Sequence, residues 1–202
     1  MKLAAIVFDL DGVLVDSGEA WHRVVSRGLA RWGRPPVTRE AFLATFGQGA
    51  EADRRQYFPD RSAAEIAAFY AGAFADETAA VALADGAWEV LDALGDRGIA
   101  RAVVTNTPVD LARRVLAAKG LTRRLESWAA AGEAAEKPAP DLIRLALARL
   151  GVAASDALYV GDSESDRLAA RAAGVRMVGL RTDGDVRIES LRDLLPLTDA
   201  LR

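Results

Sequence analysis

The stretch LAAIVFDLDGVLVDS, residues 3–17, decides the fold. It begins as a continuous apolar run and then places two carboxylates, Asp9 and Asp11, two residues apart. An apolar run without alternating polar residues is typical of a strand buried on both faces, as the strands of parallel sheets are. The two carboxylates therefore follow a buried strand, at the edge where open α/β sheets bind their ligands.

Four further apolar segments are interpreted as buried strands, and helical patterns alternate with them. The helical segments end in Gly and several begin with Pro, Ser or Asp near the first turn, which are typical stop and start signals. Strict alternation of strand and helix predicts an α/β fold with a doubly wound, five-stranded parallel sheet. The predicted strands are residues 3–9, 101–106, 127–131, 157–161 and 176–180.

One long stretch interrupts this alternation. From Gly18 to about Ala84 only helix-like segments occur, separated by GRPPV, FGQG and FPDRS. We therefore expect an all-helical insert after the first strand. The predicted organisation is a core domain of residues 1–16 and 85–202 and a helical cap domain of residues 17–84.

The composition excludes several classes of function. None of the 202 residues is a cysteine, which rules out disulfides, thiolate catalysis and cysteine-ligated metal centres. The net charge of -3 comes from interspersed charges, so no basic surface indicates nucleic-acid binding. No segment approaches the roughly 18 apolar residues of a membrane span, and Asp9 cuts off the first apolar run before it completes a signal sequence. We expect a cytoplasmic protein without nucleic-acid or membrane partners.

Polar residues mark the ends of the predicted strands. Because the carboxyl ends of parallel strands lie at one edge of the sheet, we expect these side chains to meet in one crevice. Converging carboxylates repel one another unless a cation lies among them, and an oxygen-rich site of this kind indicates Mg²⁺. The residues are Asp9 and Asp11 after strand 1, Thr105 and Asn106 ending strand 2, Lys137 after strand 3, and Asp162 and Asp166 after strand 4.

Each of these residues also has a simpler structural explanation. Asp11 and Gly12 are typical of a turn, and Thr105 can simply end a β-branched strand. Ser163 and Asp166 match the S-x-x-D capping box at a helix start. These explanations do not account for the coincidence that an acidic pair, a hydroxyl, a lysine and further acids each follow a different strand of one sheet.

Four of these segments resemble the motifs of a known family. FDLDGVLVDS, VVTN, KPAPD and VGDSESD are similar, in this order, to the four motifs of the haloacid dehalogenase-like (HAD) phosphohydrolases. The likeness covers the full chain and is to helical-cap subfamily I, the branch of phosphoglycolate phosphatases and β-phosphoglucomutases. It implies a Rossmann-like core with a cap. It also implies a Mg²⁺-dependent phosphatase that hydrolyses a phosphoglycolate-like or sugar phosphate metabolite through an aspartyl-phosphate.

The resemblance also implies roles for individual residues. Asp9 would be the nucleophile that takes the phosphoryl group. Asp11 would protonate the leaving alcohol and later deprotonate the attacking water. Magnesium would be held by the carboxylates of Asp9 and Asp162 and the backbone carbonyl of Asp11, with Asp166 acting through water or through Lys137.

The same resemblance implies how the phosphoryl group would be bound. Thr105 and Lys137, with the backbone amides of Leu10, Asp11 and Asn106, would bind the phosphoryl oxygens, and stabilising their charge is most of the catalytic task.

Three positions depart from the pattern of the family. Val13 stands where many relatives have Thr, and Asp85 where Pro often precedes the Gly of the hinge. His22 lies one place later than the His of the mutase-like members, so we assign it no role.

The cap would recognise the leaving group, which is the part of the substrate that is not transferred. FGQGAEADRR places Gly47 and Gly49 around Gln48, with Arg54 and Arg55 on a predicted helix. In similar enzymes a cap loop closes over the active site, and glycines let its backbone approach closely. Gln48 and the two arginines are therefore candidate specificity residues, and an arginine could hold a leaving-group carboxylate in bidentate fashion. The alternative is a turn and a solvated helix face.

The same residues also distinguish between related activities. Dehalogenases of the family lack the second acid, so Asp11 argues against that activity, and phosphonatases use a cap lysine, which residues 17–84 lack. A phosphosugar mutase uses the same apparatus and stays open as an alternative. Receiver domains of two-component signalling carry their phosphorylated Asp on the third strand and need no cap, which disfavours a non-catalytic switch.

Overall fold

The computed structural model of this protein describes residues 3–200. Its strands are β1 (Ala5–Phe8), β2 (Val15–Asp16), β3 (Ala82–Leu83), β4 (Ala100–Pro108), β5 (Ser127–Ala131), β6 (Ala157–Gly161), β7 (Arg176–Leu180) and β8 (Val186–Ile188). Its helices are α1 (Gly18–Arg31), α2 (Arg39–Leu43), α3 (Ala50–Tyr57), α4 (Ala63–Glu77), α5 (Ala87–Asp96), α6 (Val109–Ala118), α7 (Asp141–Leu150), α8 (Glu164–Ala173) and α9 (Leu194–Ala200). Short 3-10 helices lie at Ala154–Asp156 and Leu191–Asp193.

Six of the strands form one parallel sheet. Their order is β5-β4-β1-β6-β7-β8, so β1 lies inside the sheet between β4 and β6. The strand order reverses at β1, and a crevice opens at the carboxyl ends of strands on either side of such a reversal. The predicted doubly wound α/β fold is confirmed.

The predicted number of five strands is wrong by one. β8 pairs in parallel with β7 and forms the edge of the sheet, just after the exposed loop 181–185. It has three residues, of which only Ile188 is buried. No continuous apolar run marks so short an edge strand in the sequence.

β1 is buried on both faces, as its sequence predicts. Ile6 and Phe8 pack in a cluster that includes Leu91 of α5 and Leu111 of α6. Ala5 and Val7 pack in a second cluster on the opposite face, with side chains of α7 and α8. Because successive strand residues point to opposite faces, a strand covered by helices on both sides must be apolar throughout.

The chain between β2 and β3 is helical. α1 packs against α4 there, and aromatic rings fill the interface, with 4.3 Å between the ring centres of Trp21 and Phe74. β2 and β3 pair in antiparallel fashion where the chain leaves the sheet and returns to it. The division into a core of residues 1–16 and 85–202 and a cap of residues 17–84 stays a prediction. Within residues 3–200, no helix combines the length and apolar character needed to cross a bilayer.

Substitution of two leucines by alanine tests which side chains belong to the hydrophobic core. Leu91 is fully buried, so Leu91→Ala should lower the free energy of unfolding by about 2–5 kcal/mol through lost contacts and a cavity. Leu168 on α8 is 40% exposed, so Leu168→Ala should change it by less than about 0.5 kcal/mol. Urea denaturation of both variants measures the difference. Equal losses would contradict the burial of Leu91.

Candidate active site

The structure brings the predicted polar residues of the sheet together at the carboxyl ends of β1, β4 and β6. They follow three adjacent strands, and the chain after β5 adds Lys137. Most of them are buried, although they are charged or polar, and Asp166 has no exposed surface at all. Polar groups in such a position need partners, because burial without hydrogen bonds or counter-charges is costly.

Lys137 lies at the centre of the cluster. Its Nζ is 2.7 Å from Asp9 Oδ1 and 2.7 Å from Asp166 Oδ1, and it donates a hydrogen bond of 3.2 Å to the Tyr159 hydroxyl. Burial disfavours its ammonium, but the carboxylates of Asp166 and Asp9 outweigh burial and raise the pKa of Lys137 above its usual value. The side chain therefore stays charged between two acids.

Asn106 holds the backbone of Lys137 in place. Its side-chain Nδ2 donates to the carbonyl of Lys137 at 2.9 Å, and its Oδ1 accepts from the Lys137 amide at 2.8 Å. This pair of bonds joins the end of β4 to the loop after β5. The Asn106 side chain thus positions the lysine.

Asp166 is fully engaged by the protein. Its Oδ1 accepts from Lys137 and, at 2.7 Å, from the Tyr159 hydroxyl, and its Oδ2 accepts from the hydroxyl and the amide of Ser163. Burial alone would raise the pKa of Asp166, but Lys137, Ser163 and Tyr159 lower it. The capping box expected from S-x-x-D is present as well. Asp166 therefore helps to cap the N-terminus of α8 and orients Lys137 at the same time.

Asp9 and Asp162 carry the surplus negative charge of the cluster. Burial raises the pKa of Asp9 well above its usual value, with contributions from the neighbouring acids and against the effect of Lys137. Burial and the Asp166 carboxylate raise the pKa of Asp162 to about 7. One oxygen from each of Asp9, Asp162 and Asp166 lies within 4.8 Å of the others. This donor set fits a small divalent cation.

Gly12 makes room for this acidic group. Its φ of +85° lies in the left-handed region, and a Cβ at this position would come within 1.9 Å of Asp162 Oδ2. The Asp-Gly turn after Asp11 is thus required both by the backbone conformation and by the close approach of a carboxylate.

The Asp11 carboxylate is held by three hydroxyl groups. Ser17 donates to Oδ1 at 2.5 Å, and Thr105 and Thr107 donate to Oδ2 at 3.1 and 2.7 Å. Leu10, between the two acids, donates its amide to Asp9 Oδ1 at 2.7 Å. The two carboxylates therefore have different environments, one against an ammonium and one among hydroxyls.

Sequence reasoning missed three of these partners. Thr107 lies two residues beyond Thr105, and this spacing on a strand could have indicated a second hydroxyl on the same face. Ser17 lies in the motif that opens the chain, but its contact depends on the turn at Gly12. Tyr159 lies within β6 and has the sequence signature of a core aromatic residue.

Two cavities lie between the helices after β2 and the end of the sheet. The inner cavity is lined on the sheet side by Asp9, Asp11, Thr105, Asn106 and Lys137. Its opposite side, here named the cap wall, consists chiefly of Trp21, Phe42, Phe46, Asp53 and Tyr70. The outer cavity is lined by Asp11, Asp162 and Ser163 together with Gln48 and Arg55.

The loop with two glycines lies directly on the sheet domain. A Cβ on Gly49 would come within 2.7 Å of Glu136 Oε2 and 3.2 Å of Asn106 Nδ2. Both glycines have positive φ, +88° at Gly47 and +92° at Gly49. The backbone of this loop thus lies next to Glu136 and Asn106.

The structure separates the three cap residues singled out from the sequence. Gln48 and Arg55 line the outer cavity, and Arg55 also binds Glu51. Arg54 lines neither cavity, because its guanidinium binds Glu51 and the carbonyl of Arg61. A role in specificity stays a prediction for all three.

Comparisons with known proteins agree with the motif resemblance. Residues 6–180 match the family of haloacid dehalogenase-like hydrolases. Phosphoglycolate phosphatase 1 of Pseudomonas aeruginosa is 32% identical, over 96% of this chain and 79% of that protein. The phosphoglycolate phosphatase of Xylella fastidiosa is 35% identical, over 84% of this chain and 76% of that protein.

Solved structures give the same result. A putative phosphoglycolate phosphatase from Lactobacillus plantarum matches with a TM-score of 0.87 at 25% identity, over 98% of this chain and all of that one (100%). CbbY from Rhodobacter sphaeroides, solved in complex with phosphate, matches with a TM-score of 0.83 at 25% identity, over 95% and 96% of the two chains.

The ion pairs of Lys137 predict a pH-dependent stability. Lys137→Met should lower the free energy of unfolding at pH 7 by about 3–5 kcal/mol, because it leaves buried carboxylates uncompensated. Lys137 lowers the pKa of folded Asp166, and that stabilisation is present above the unfolded pKa and lost as pH falls. The difference in the free energy of unfolding between Lys137→Met and the wild type should therefore become smaller below about pH 4.

Chemical denaturation from pH 3 to pH 8 measures this difference. Lys119→Met is the matched control, because no hydrogen bond or ion pair of the Lys119 side chain occurs among residues 3–200. It should change the free energy of unfolding by less than about 0.5 kcal/mol. A difference that is constant with pH would contradict the role given to Asp166.

Proposed function

Because this chain belongs to the haloacid dehalogenase-like hydrolases, we propose that it hydrolyses a small phosphorylated metabolite through a phosphoryl group carried by Asp9, with Mg²⁺ as its metal ion. The broader class follows from its family and relatives: the chain is a phosphoric monoester hydrolase. The observation that supports the finer proposal most is the position of Asp9, buried at the end of β1 against Lys137 and facing the inner cavity.

The site contains more carboxylates than positively charged side chains, which supports the proposal that it binds a metal cation. Asp9 and Asp162 would hold Mg²⁺ with their carboxylates and Asp11 with its backbone carbonyl, while Asp166 is already engaged by Lys137 and Ser163. When bound, the ion supplies positive charge to the phosphoryl oxygens. Hard cations with oxygen ligands and retained waters are typical of phosphoryl-transfer sites.

Asp9 must be ionised to attack phosphorus, and the ammonium of Lys137 together with a bound Mg²⁺ would oppose the burial that raises its pKa. Lys137 and the Leu10 amide bind its Oδ1, which fixes the orientation of the carboxylate. An oxygen of Asp9 would form a bond to phosphorus while the bond from phosphorus to the leaving oxygen breaks. The ammonium of Lys137 and the hydroxyl of Thr105 lie in the same cavity and would bind the phosphoryl oxygens.

Asp11 would move the protons. In the first step its carboxyl group gives a proton to the leaving alkoxide, and in the second it takes a proton from the water that attacks phosphorus. The second step breaks the bond between Asp9 and phosphorus and releases inorganic phosphate. The hydroxyls of Ser17 and Thr107 hold the Asp11 carboxyl group in position for both steps, which leaves the proton of Thr105 for the phosphoryl group.

Two substrate classes follow from the family. Phosphoglycolate is the substrate named for the curated relatives, and sugar phosphates are the substrates of the mutase-like branch. A phosphosugar mutase remains the alternative to hydrolysis, and release of inorganic phosphate distinguishes the two. We propose that residues 17–84 act as a cap that covers the leaving group in either case.

Metal removal tests the proposal. Hydrolysis of p-nitrophenyl phosphate should stop when EDTA is added and return with excess Mg²⁺, because the carboxylates of Asp9, Asp11 and Asp162 would otherwise repel the phosphate. Ca²⁺ should inhibit, since it is larger and takes more ligands. Full turnover in EDTA, after elemental analysis has shown that no metal remains, would contradict the metal assignment.

The two acids of the first motif should respond differently to amide substitution. Asp9→Asn should abolish turnover, because an amide cannot attack phosphorus, and Asp11→Asn should slow both steps. The first-step defect of Asp11→Asn should be smaller with p-nitrophenyl phosphate than with an alkyl phosphate, since an acidic phenol leaves without a proton. Pre-steady-state kinetics measures this step, and equal defects on both substrates would remove Asp11 from the acid role.

A further inference from the structure

The residues named as the cap wall are four aromatic residues and one acid. Aromatic rings form most of it, with 5.4 Å between the ring centres of Trp21 and Tyr70 and 5.5 Å between those of Phe42 and Phe46. Asp53 of α3 lies among them and lines the inner cavity. Of the charged residues between positions 3 and 200 that line this cavity, Asp53 alone belongs to the cap wall. The wall therefore presents negative charge to the part of a substrate that is not transferred.

Asp53 lacks a cationic partner within residues 3–200. Its Oδ2 accepts a hydrogen bond of 2.9 Å from the Tyr70 hydroxyl, and no ion pair joins it to an arginine or lysine of that part of the chain. Burial raises the pKa of Asp53 to about 6, although Tyr70 opposes the shift. At neutral pH the group is mostly ionised. A half-buried carboxylate with one hydrogen bond retains acceptor capacity for a ligand.

The arginines after Asp53 do not neutralise it. Arg54 binds Glu51 with Nε at 2.7 Å and the Arg61 carbonyl at 3.2 Å, and it lines neither cavity. The Arg55 side chain is 74% exposed, binds Glu51 and lines only the outer cavity. Within the described part of the chain, the only ammonium or guanidinium group that lines the inner cavity is that of Lys137, which lies between Asp9 and Asp166. A carboxylate on the leaving group would meet Asp53 without a counter-charge.

We propose that Asp53 selects a leaving group that has no negative charge and donates a hydrogen bond, and that it excludes carboxylate leaving groups such as that of phosphoglycolate. The donor is a hydroxyl or an ammonium group, because both satisfy a free carboxylate oxygen and both pack against aromatic rings. The substrate class is thus a phosphorylated small polyol or amino alcohol. This inference rests on the proposed phosphatase function.

The experiment compares kcat/KM for three substrates of similar size. These are 2-phosphoglycolate, glycerol 3-phosphate and O-phosphoethanolamine. The wild-type enzyme should favour one of the two donor substrates over 2-phosphoglycolate by at least about tenfold, a ratio that one charge interaction can supply. Preference for glycerol 3-phosphate identifies a hydroxyl as the donor, and preference for O-phosphoethanolamine identifies an ammonium.

Asp53→Asn should reduce that ratio at least about tenfold, because it removes the charge and keeps the shape of the side chain. Asp76→Asn is the matched control, because Asp76 is an exposed acid on α4 that binds Arg27 outside both cavities. The control should leave the ratio unchanged. Thermal unfolding establishes that each variant is folded, and Asp53→Ser tests the same charge if the amide variant does not fold.

Three results would overturn the inference. The first is a wild-type preference for 2-phosphoglycolate, and the second is an unchanged ratio in Asp53→Asn. The third is a larger change of the ratio in Arg55→Ala than in Asp53→Asn, which would assign the selection to the outer cavity. Absence of p-nitrophenyl phosphate hydrolysis by the wild-type enzyme with Mg²⁺ would instead reject the proposed function itself, so the two failures are distinguishable.

Discussion

The buried ammonium of Lys137 is the constraint on which the rest of the site depends. It lies within 2.7 Å of carboxylates from two different strand ends, Asp9 after β1 and Asp166 at the start of α8. Asn106 after the central part of β4 fixes the backbone of the same lysine. One charge therefore joins loops that are far apart in sequence. Removing it would leave buried acids without compensation, which is among the most costly defects a folded protein can carry.

The sequence alone predicts the layout of this site because the fold places it at strand ends. The sequence identifies Asp9, Thr105 and Asp162, because each is a polar residue at the end of an apolar run. The parallel sheet brings them to one edge. The sequence does not identify Tyr159 as a partner of Asp166 or Ser17 as a partner of Asp11, because these contacts depend on side-chain directions and on the turn at Gly12. The sequence does not predict the edge strand β8 either, because three residues are too few to show the hydrophobic pattern of a strand.

The helical chain between β2 and β3 shows where charge patterns in a sequence are ambiguous. Consecutive residues of a helix point in directions about 100° apart, so Asp53 faces the inner cavity while Arg54 and Arg55 do not line it. The sequence draws attention to the two arginines because a cation is the obvious partner for an acidic substrate. The structure shows that Glu51 already binds both of them.

The antiparallel pairing of β2 with β3 has a mechanical consequence. Val15 pairs with Leu83 and Asp16 with Ala82, so both connections to the helical insert run together as one hydrogen-bonded ribbon. Two separate tethers would leave the insert free to twist and slide about each of them. A single ribbon couples the two connections, because the backbone hydrogen bonds between β2 and β3 prevent either one from moving independently of the other. Ser17, the next residue after β2, links this ribbon to the carboxylate of Asp11 through its hydroxyl.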